Sequence, residues 1–239
     1  PLGDHLKIGS LSLDLDKLAS PARYTLSVSA PGTGISNQWN FWVYPAQVDT
    51  VNASSVIIAH HFNDEVEKEL QSGRTVLLLP DSASIKGRLP ICFTDFYWTA
   101  FGLTGGESSA DGLLCDPSDP VFKYFPTSFH TDWQWWDLLT HARPMILDYF
   151  KDPAPFPKTY RPLVQMIDSW KVNRKLGVLI AGKVGRGRLM ICSIDLEHHL
   201  DKRPATRQFR YSLLKYITGG GFNPAARLTP AMIRNLFIQ

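Results

Sequence analysis

"SSVIIAHHFNDEVEKELQSGRTVLLLP", Ser54 to Pro80, is the stretch whose reading decides the fold. "SSVIIAHHF" is a short apolar run suited to a buried strand, and "RTVLLLP" is a second. The polar segment between them, "NDEVEKELQSG", reads as a helix, with Asp64 and Glu67 spaced as a capping box and Gly73 as its terminator. Strand, helix and strand with short connections form a βαβ unit. That unit implies a parallel sheet covered by helices.

Upstream the period changes. "LKIGSLSLDLDKL", "RYTLSVSA" and "QWNFWVYP" alternate with period two, and Tyr24, Leu26 and Val28 share one face of a half-buried antiparallel strand. Turn signals separate these strands at Ser20-Pro21 and in "APGTG". Three strands are too few to close a sandwich. They read as the end of an immunoglobulin-like one whose beginning lies upstream, and the start without Met suggests a fragment of a longer polypeptide. The division expected is residues 1–46 for the β segment and 47–239 for an α/β domain.

Downstream, residues 81–162 are irregular and rich in Pro, Gly and aromatics, with one short helix after Asp119 and another capped by Thr131 or Asp132. "PLVQMIDSW" and "LGVLIAGKV" read as strands, and Gly185–Gly187 as a hairpin turn leading into a core strand. "PATRQFRYSLLKYITGGG" is a helix opened by Pro204 and ended by Gly219. Its stripe is Phe209, Leu213 and Tyr216 or Ile217.

Composition excludes some classes. The chain has 239 residues, 44% hydrophobic and 20% charged, an ordinary globular balance. No apolar run reaches about 20 residues, so no membrane span is expected. A net charge of +3 and scattered basic residues do not suggest nucleic-acid binding, and "KVNRK" and "DKRPATRQFR" read as solvated faces. The three cysteines, Cys92, Cys115 and Cys192, lie in apolar surroundings as buried free thiols. With no CxxC, Cys/His spacing or HExxH, neither a metal site nor a cofactor is expected. No Gly-flanked Ser or Cys marks a nucleophile elbow, and "GKVGRGR" precedes a strand where a phosphate loop would precede a helix.

Four carboxylates, Asp132, Asp137, Asp168 and Asp195, could form a catalytic pair only if the fold brought two of them within about 5–10 Å. His60-His61 and the histidines of "LEHHLDKR" each follow a strand. If both lay at one sheet edge, a metal or anion site would become conceivable.

"HTDWQWWDLL", His130 to Leu139, holds three of the chain's seven tryptophans. On a helix Trp133, Trp135 and Trp136 cannot share one face, so the segment needs cover on more than one side. One side can use the domain's own core; another needs a neighbouring domain, a subunit or a stacked sugar, for which Asp132 and Gln134 would supply hydrogen bonds. The ligand or interface candidates are therefore His130, Asp132, Trp133, Gln134, Trp135, Trp136, Asp168 and Asp195. No catalytic residue is assigned.

Several blocks occur in a familiar order: "NQWNFWVYP", "TVLLLP", "GLLCDPSDPVFKYFPT", "HTDWQWWDLLTHARP", "QMIDSWKVNRKLGVL", "GRGRLMICSIDL" and "RPATRQFRYSLLKYI". From about Gln38 to Ile217 they resemble the C-terminal, non-catalytic region of large β-galactosidase-like glycoside hydrolases of family 2 type from Bacteroidetes. The resemblance implies a β segment followed by a flavodoxin-like domain similar to class I glutamine amidotransferases, with a mainly parallel sheet, downstream of a catalytic barrel. It implies an accessory role beside the catalytic domains of the same polypeptide or in a homo-oligomer, and a periplasmic or secreted setting. A carbohydrate-binding module and an independent hydrolase are the alternatives. The barrel's glutamates and the amidotransferase's Gly-flanked cysteine have no counterpart here, so no catalytic residue carries over.

Overall fold

The computed structural model describes residues 9–91, 110–149, 154–169 and 172–238. Cys92 lies outside them. The chain is mixed α/β. Strands β1 (Ala22–Ala30) and β2 (Ile35–Val43) pair as an antiparallel ribbon by themselves. The other described strands form one sheet: β3 (Val56–Ala59), β4 (Thr75–Leu78), β5 (Ala110–Cys115), β6 (Met145–Ile146), β7 (Val164–Asp168), β8 (Leu176–Val184) and β9 (Gly187–Cys192). Its order is β3-β4-β9-β8-β7-β5, with β6 beside β8.

The mainly parallel sheet is not what forms. β3, β4 and β9 run parallel, whereas β9–β8, β8–β7, β7–β5 and β6–β8 are antiparallel. The reason is local. Val184 pairs with Gly187 across a two-residue turn, with Gly185 at a φ of 59°, and so short a connection joins only antiparallel strands. Gly187 is needed for space as well: a Cβ there would lie 2.5 Å from the Leu70 carbonyl oxygen and 2.6 Å from that of Arg74.

Both faces of the sheet are covered, which explains the continuous apolar runs. Alternation along β4 and β9 sends Val76, Leu78, Leu189 and Ile191 to one core, with α1 (Asp64–Gln71) and α4 (Pro230–Arg234). Leu77, Met190 and Cys192 go to the other, with α3 (Pro204–Thr218) and the aromatic group Phe122, Phe125, Trp135 and Phe209. In α3 the expected stripe is buried at Phe209, Leu213 and Ile217. The cap of α1 is one residue earlier than expected: Asn63 accepts from the Val66 amide (2.9 Å). Asp64 and Glu67 instead both accept from Arg234, at 2.6 and 2.8 Å.

The tryptophan segment also departs from expectation. Helix α2 is Trp135–Thr140, with Gln134 at its N-cap and no side-chain cap. Thr131 accepts from the Leu113 amide of β5 (2.8 Å) rather than capping. Trp133 therefore precedes the helix, and helical spacing does not govern its direction.

The ribbon is not half-buried either. Opposed residues share a side, which gives an apolar face (Tyr24/Phe41, Leu26/Trp39, Val28 and Ile35) and a polar face (Arg23/Trp42, Thr25/Asn40, Ser27/Gln38). The polar face meets the body only at the end away from the hairpin, where Arg23 Nη1 donates to Ser128 Oγ (2.9 Å) and Trp42 Nε1 to the Pro126 carbonyl (3.1 Å). The apolar face turns outward, with Trp39 50% and Ile35 69% exposed.

Candidate functional site

Two places gather polar side chains. The first is the carboxyl edge of the parallel strands, where α/β folds bind ligands. β3, β4 and β9 end there in His60-His61, in Pro80–Ser82 and in Ser193–His198, and α2 adds His141 through Arg143. These last three segments line a cleft of about 290 Å³. The two histidine loops do lie at one edge: His60 Nδ1 is 3.5 Å from Glu197 Oε2 and 3.0 Å from the Leu79 carbonyl. Among the described residues no group of three potential ligands is placed to hold a metal ion.

Asp195 is the centre of this edge. Its Oδ1 lies 3.0 Å from His198 Nδ1 and accepts from the Glu197 and His198 amides (3.0 and 3.2 Å). Burial pulls the Asp195 carboxyl upward, but those amides and the imidazole leave it below its ordinary value. Asp195 in turn raises the His198 imidazole above its own. The sign follows for each group: the histidine's share of the pairing is complete below about pH 6.5 and fades as pH rises through the raised value, while the aspartate's is complete above about pH 3.9 and fades on acidification. In an NMR titration His198 is expected to show a midpoint above about 6.5, returning toward that value in Asp195→Asn. An unchanged midpoint in the variant would remove Asp195 as the cause.

Behind this pair lies Arg203, only 6% exposed. Its Nε donates to both Asp137 carboxylate oxygens (3.0 Å each), and its Nη1 reaches the Asp195 carbonyl (3.1 Å) and Oδ2 (3.4 Å). "DKRPATRQFR" is thus no solvated face at this position. Of the four candidate carboxylates, the fold brings Asp137 and Asp195 together, and it does so across a guanidinium that pairs with both. Asp168 stands apart, buried on β7, where its oxygens accept from Arg174 Nε (2.8 Å), Nη2 (2.9 Å) and the Arg174 amide (2.7 Å). It anchors a loop. A local sequence signal for Arg203 is lacking, because its main partner Asp137 is 66 residues away.

The second place is the seam between ribbon and body. Gln134, buried, accepts from the Tyr44 hydroxyl and donates through Nε2 to the Pro126 carbonyl (2.9 Å) and Asp132 Oδ2 (3.3 Å). The tryptophans part company. Trp135 is fully buried, its Nε1 donating to Thr127 Oγ1 (2.8 Å), whereas Trp133 is 76% and Trp136 49% exposed. His130 is a surface residue whose ring meets Phe129 edge-on, centroids 4.7 Å apart. Trp133 and Asp132 join Thr131, Gln38, Asn40 and Trp42 around a cleft of about 350 Å³.

The two described thiols are chemically quiet: burial pushes Cys115 and Cys192 up to about 12, so little thiolate forms near neutral pH. Among the described residues no helix is long and apolar enough to cross a membrane.

Fold and sites together define a mixed α/β domain with a β-ribbon joined to it through the seam. The chain belongs to the family described as a domain of unknown function (DUF8487), which matches residues 57–238. Residues 1–45 match a second domain of unknown function (DUF8488). Among curated proteins none matches the chain.

Proposed function

We propose that this chain is a non-catalytic accessory module of a carbohydrate-degrading glycoside hydrolase, packing on the catalytic portion of the same polypeptide or joining copies of it. The observation that carries this reading is the outward apolar face of the ribbon. A two-stranded ribbon has little stability alone, and this one touches its own body through Arg23 and Trp42 while Leu26, Val28, Ile35 and Trp39 stay exposed. A row of large apolar side chains at register positions suits packing beneath another sheet. The resemblance to β-galactosidase-like enzymes names the setting. The finer fold assignment, a divergent amidotransferase-like domain, is supported by the βαβ unit and by the cleft at the carboxyl edge of β4 and β9.

The test uses the catalytic barrel of a family 2 type glycosidase, immobilised and challenged with this chain. The wild type should be retained, and the double change Leu26→Glu with Trp39→Glu should weaken retention at least about tenfold, since each side chain's burial is worth about 1.5–3 kcal/mol. Melting of the isolated chain should hardly move. Turnover of aryl glycosides by the isolated chain, or equal retention of the variant, would sink the proposal.

A further inference from the structure

We infer that the cleft between the polar face of β2 and the Asp132–Trp133 turn binds a neutral sugar ring. Its walls come from two parts of the chain. Gln38, Asn40 and Trp42 alternate along β2 and so share one face, and Thr131, Asp132 and Trp133 face them across about 350 Å³. That volume suits a small ligand.

Each wall offers a different kind of contact. Trp133 presents a large, well-exposed indole, a surface for the C–H face of a pyranose. Asn40 Oδ1 accepts from Thr25 Oγ1 (2.8 Å), which leaves its amide hydrogens as donors. The Gln38 carboxamide has no hydrogen-bond partner among the described residues and offers both a donor and an acceptor.

Asp132 also lines the cleft. Its Oδ2 accepts from Gln134 Nε2 (3.3 Å) and the Ser128 amide (3.5 Å), while Oδ1 is buried with no partner among the described residues. A buried acceptor left unmade is costly, more so when charged. Burial also lifts the Asp132 carboxyl above its ordinary value, against the hydrogen bonds from Ser128 and Gln134 that pull it down. Oδ1 itself is closed to solvent, so the polar groups that the cleft offers a ligand are the Gln38 and Asn40 carboxamides.

Other ligand classes fit less well. No lysine or arginine lines the cleft, which disfavours a phosphate or nucleotide. A quaternary ammonium would suit tryptophan and carboxylate together, but it would use neither carboxamide. A polyol uses the indole and both carboxamides. The inference is independent of the docking proposed above, because the two use opposite faces of β2.

The chain is to be titrated by calorimetry and tryptophan fluorescence with β-1,4-galactobiose, xylobiose and methyl α-L-rhamnoside, and separately with tetramethylammonium. Saturable binding of at least one sugar is expected, with a dissociation constant on the order of 1 mM. Trp133→Ala should weaken it at least about tenfold and Asn40→Ala about fivefold, while Trp136→Ala leaves it unchanged. Three results would overturn the assignment: no binding of any sugar through about 10 mM, roughly ten times the expected constant; binding of tetramethylammonium alone; or an equal loss in Trp136→Ala.

Discussion

Trp135→Ala is expected to destabilise the isolated chain by about 3–5 kcal/mol, the range for truncating a buried large aromatic. For a chain of this size that lowers the melting temperature by roughly 6–20 °C. Trp135 is fully buried, and Phe125, Phe209 and Phe122 meet it edge-on with centroids 5.3, 5.5 and 6.2 Å away. Truncation leaves a cavity where α2, α3 and the 120–127 segment converge, and it strips Thr127 of the indole donor. Trp133→Ala, two positions away, should stay within about 0.5 kcal/mol, as a surface change does. Urea melts of the two variants beside the wild type provide the check. Comparable losses would mean that Trp133 is packed in solution and that the cleft it lines is closed.

The second large effect is expected at Arg203. Arg203→Met keeps the length of the stem and removes the guanidinium from between Asp137 and Asp195. Breaking a buried pair from one side costs about 3–5 kcal/mol. The lower end applies, since Asp137 and Asp195 keep 22% and 30% of their side-chain exposure. A fall in melting temperature of roughly 6–12 °C follows. Arg203→Lys should recover only part of it, because an ammonium cannot reproduce the fork that reaches both Asp137 oxygens and the Asp195 loop. Combining Arg203→Met with Asp137→Asn should lose less than the sum of the single changes. Strict additivity would show that the two residues do not act as a pair.

These two residues mark where reading the sequence succeeds and where it stops. In "HTDWQWWDLL" it is correct that the tryptophans cannot all serve one core. The helical wheel misleads because α2 begins at Trp135, which leaves Trp133 in the preceding turn and frees it from helical geometry. Arg203 looks like one basic residue in a basic run. Its burial depends on Asp137, at the far end of a 66-residue loop of chain.

The sheet carries the same lesson from the other side. The βαβ unit over Ser54–Pro80 predicts parallel neighbours, and β3, β4 and β9 are parallel. The glycine hairpin at 185–187, equally legible, demands an antiparallel pair at β8. The two signals together specify a mixed sheet, and extending the first across the whole domain is what fails.

By itself the sequence determined what short-range physics controls: the β3–α1–β4 unit, the β8–β9 turn, the limits of α3 and the inert surroundings of Cys192. Each follows from apolar periodicity, glycine and proline placement, or capping within a few residues. Only the tertiary structure decided which tryptophan is core, which carboxylates share an arginine, and which face of the ribbon meets the body. Those outcomes depend on contacts between residues tens of positions apart, where burial and charge pairing are set by the packed whole and leave no mark on local spacing.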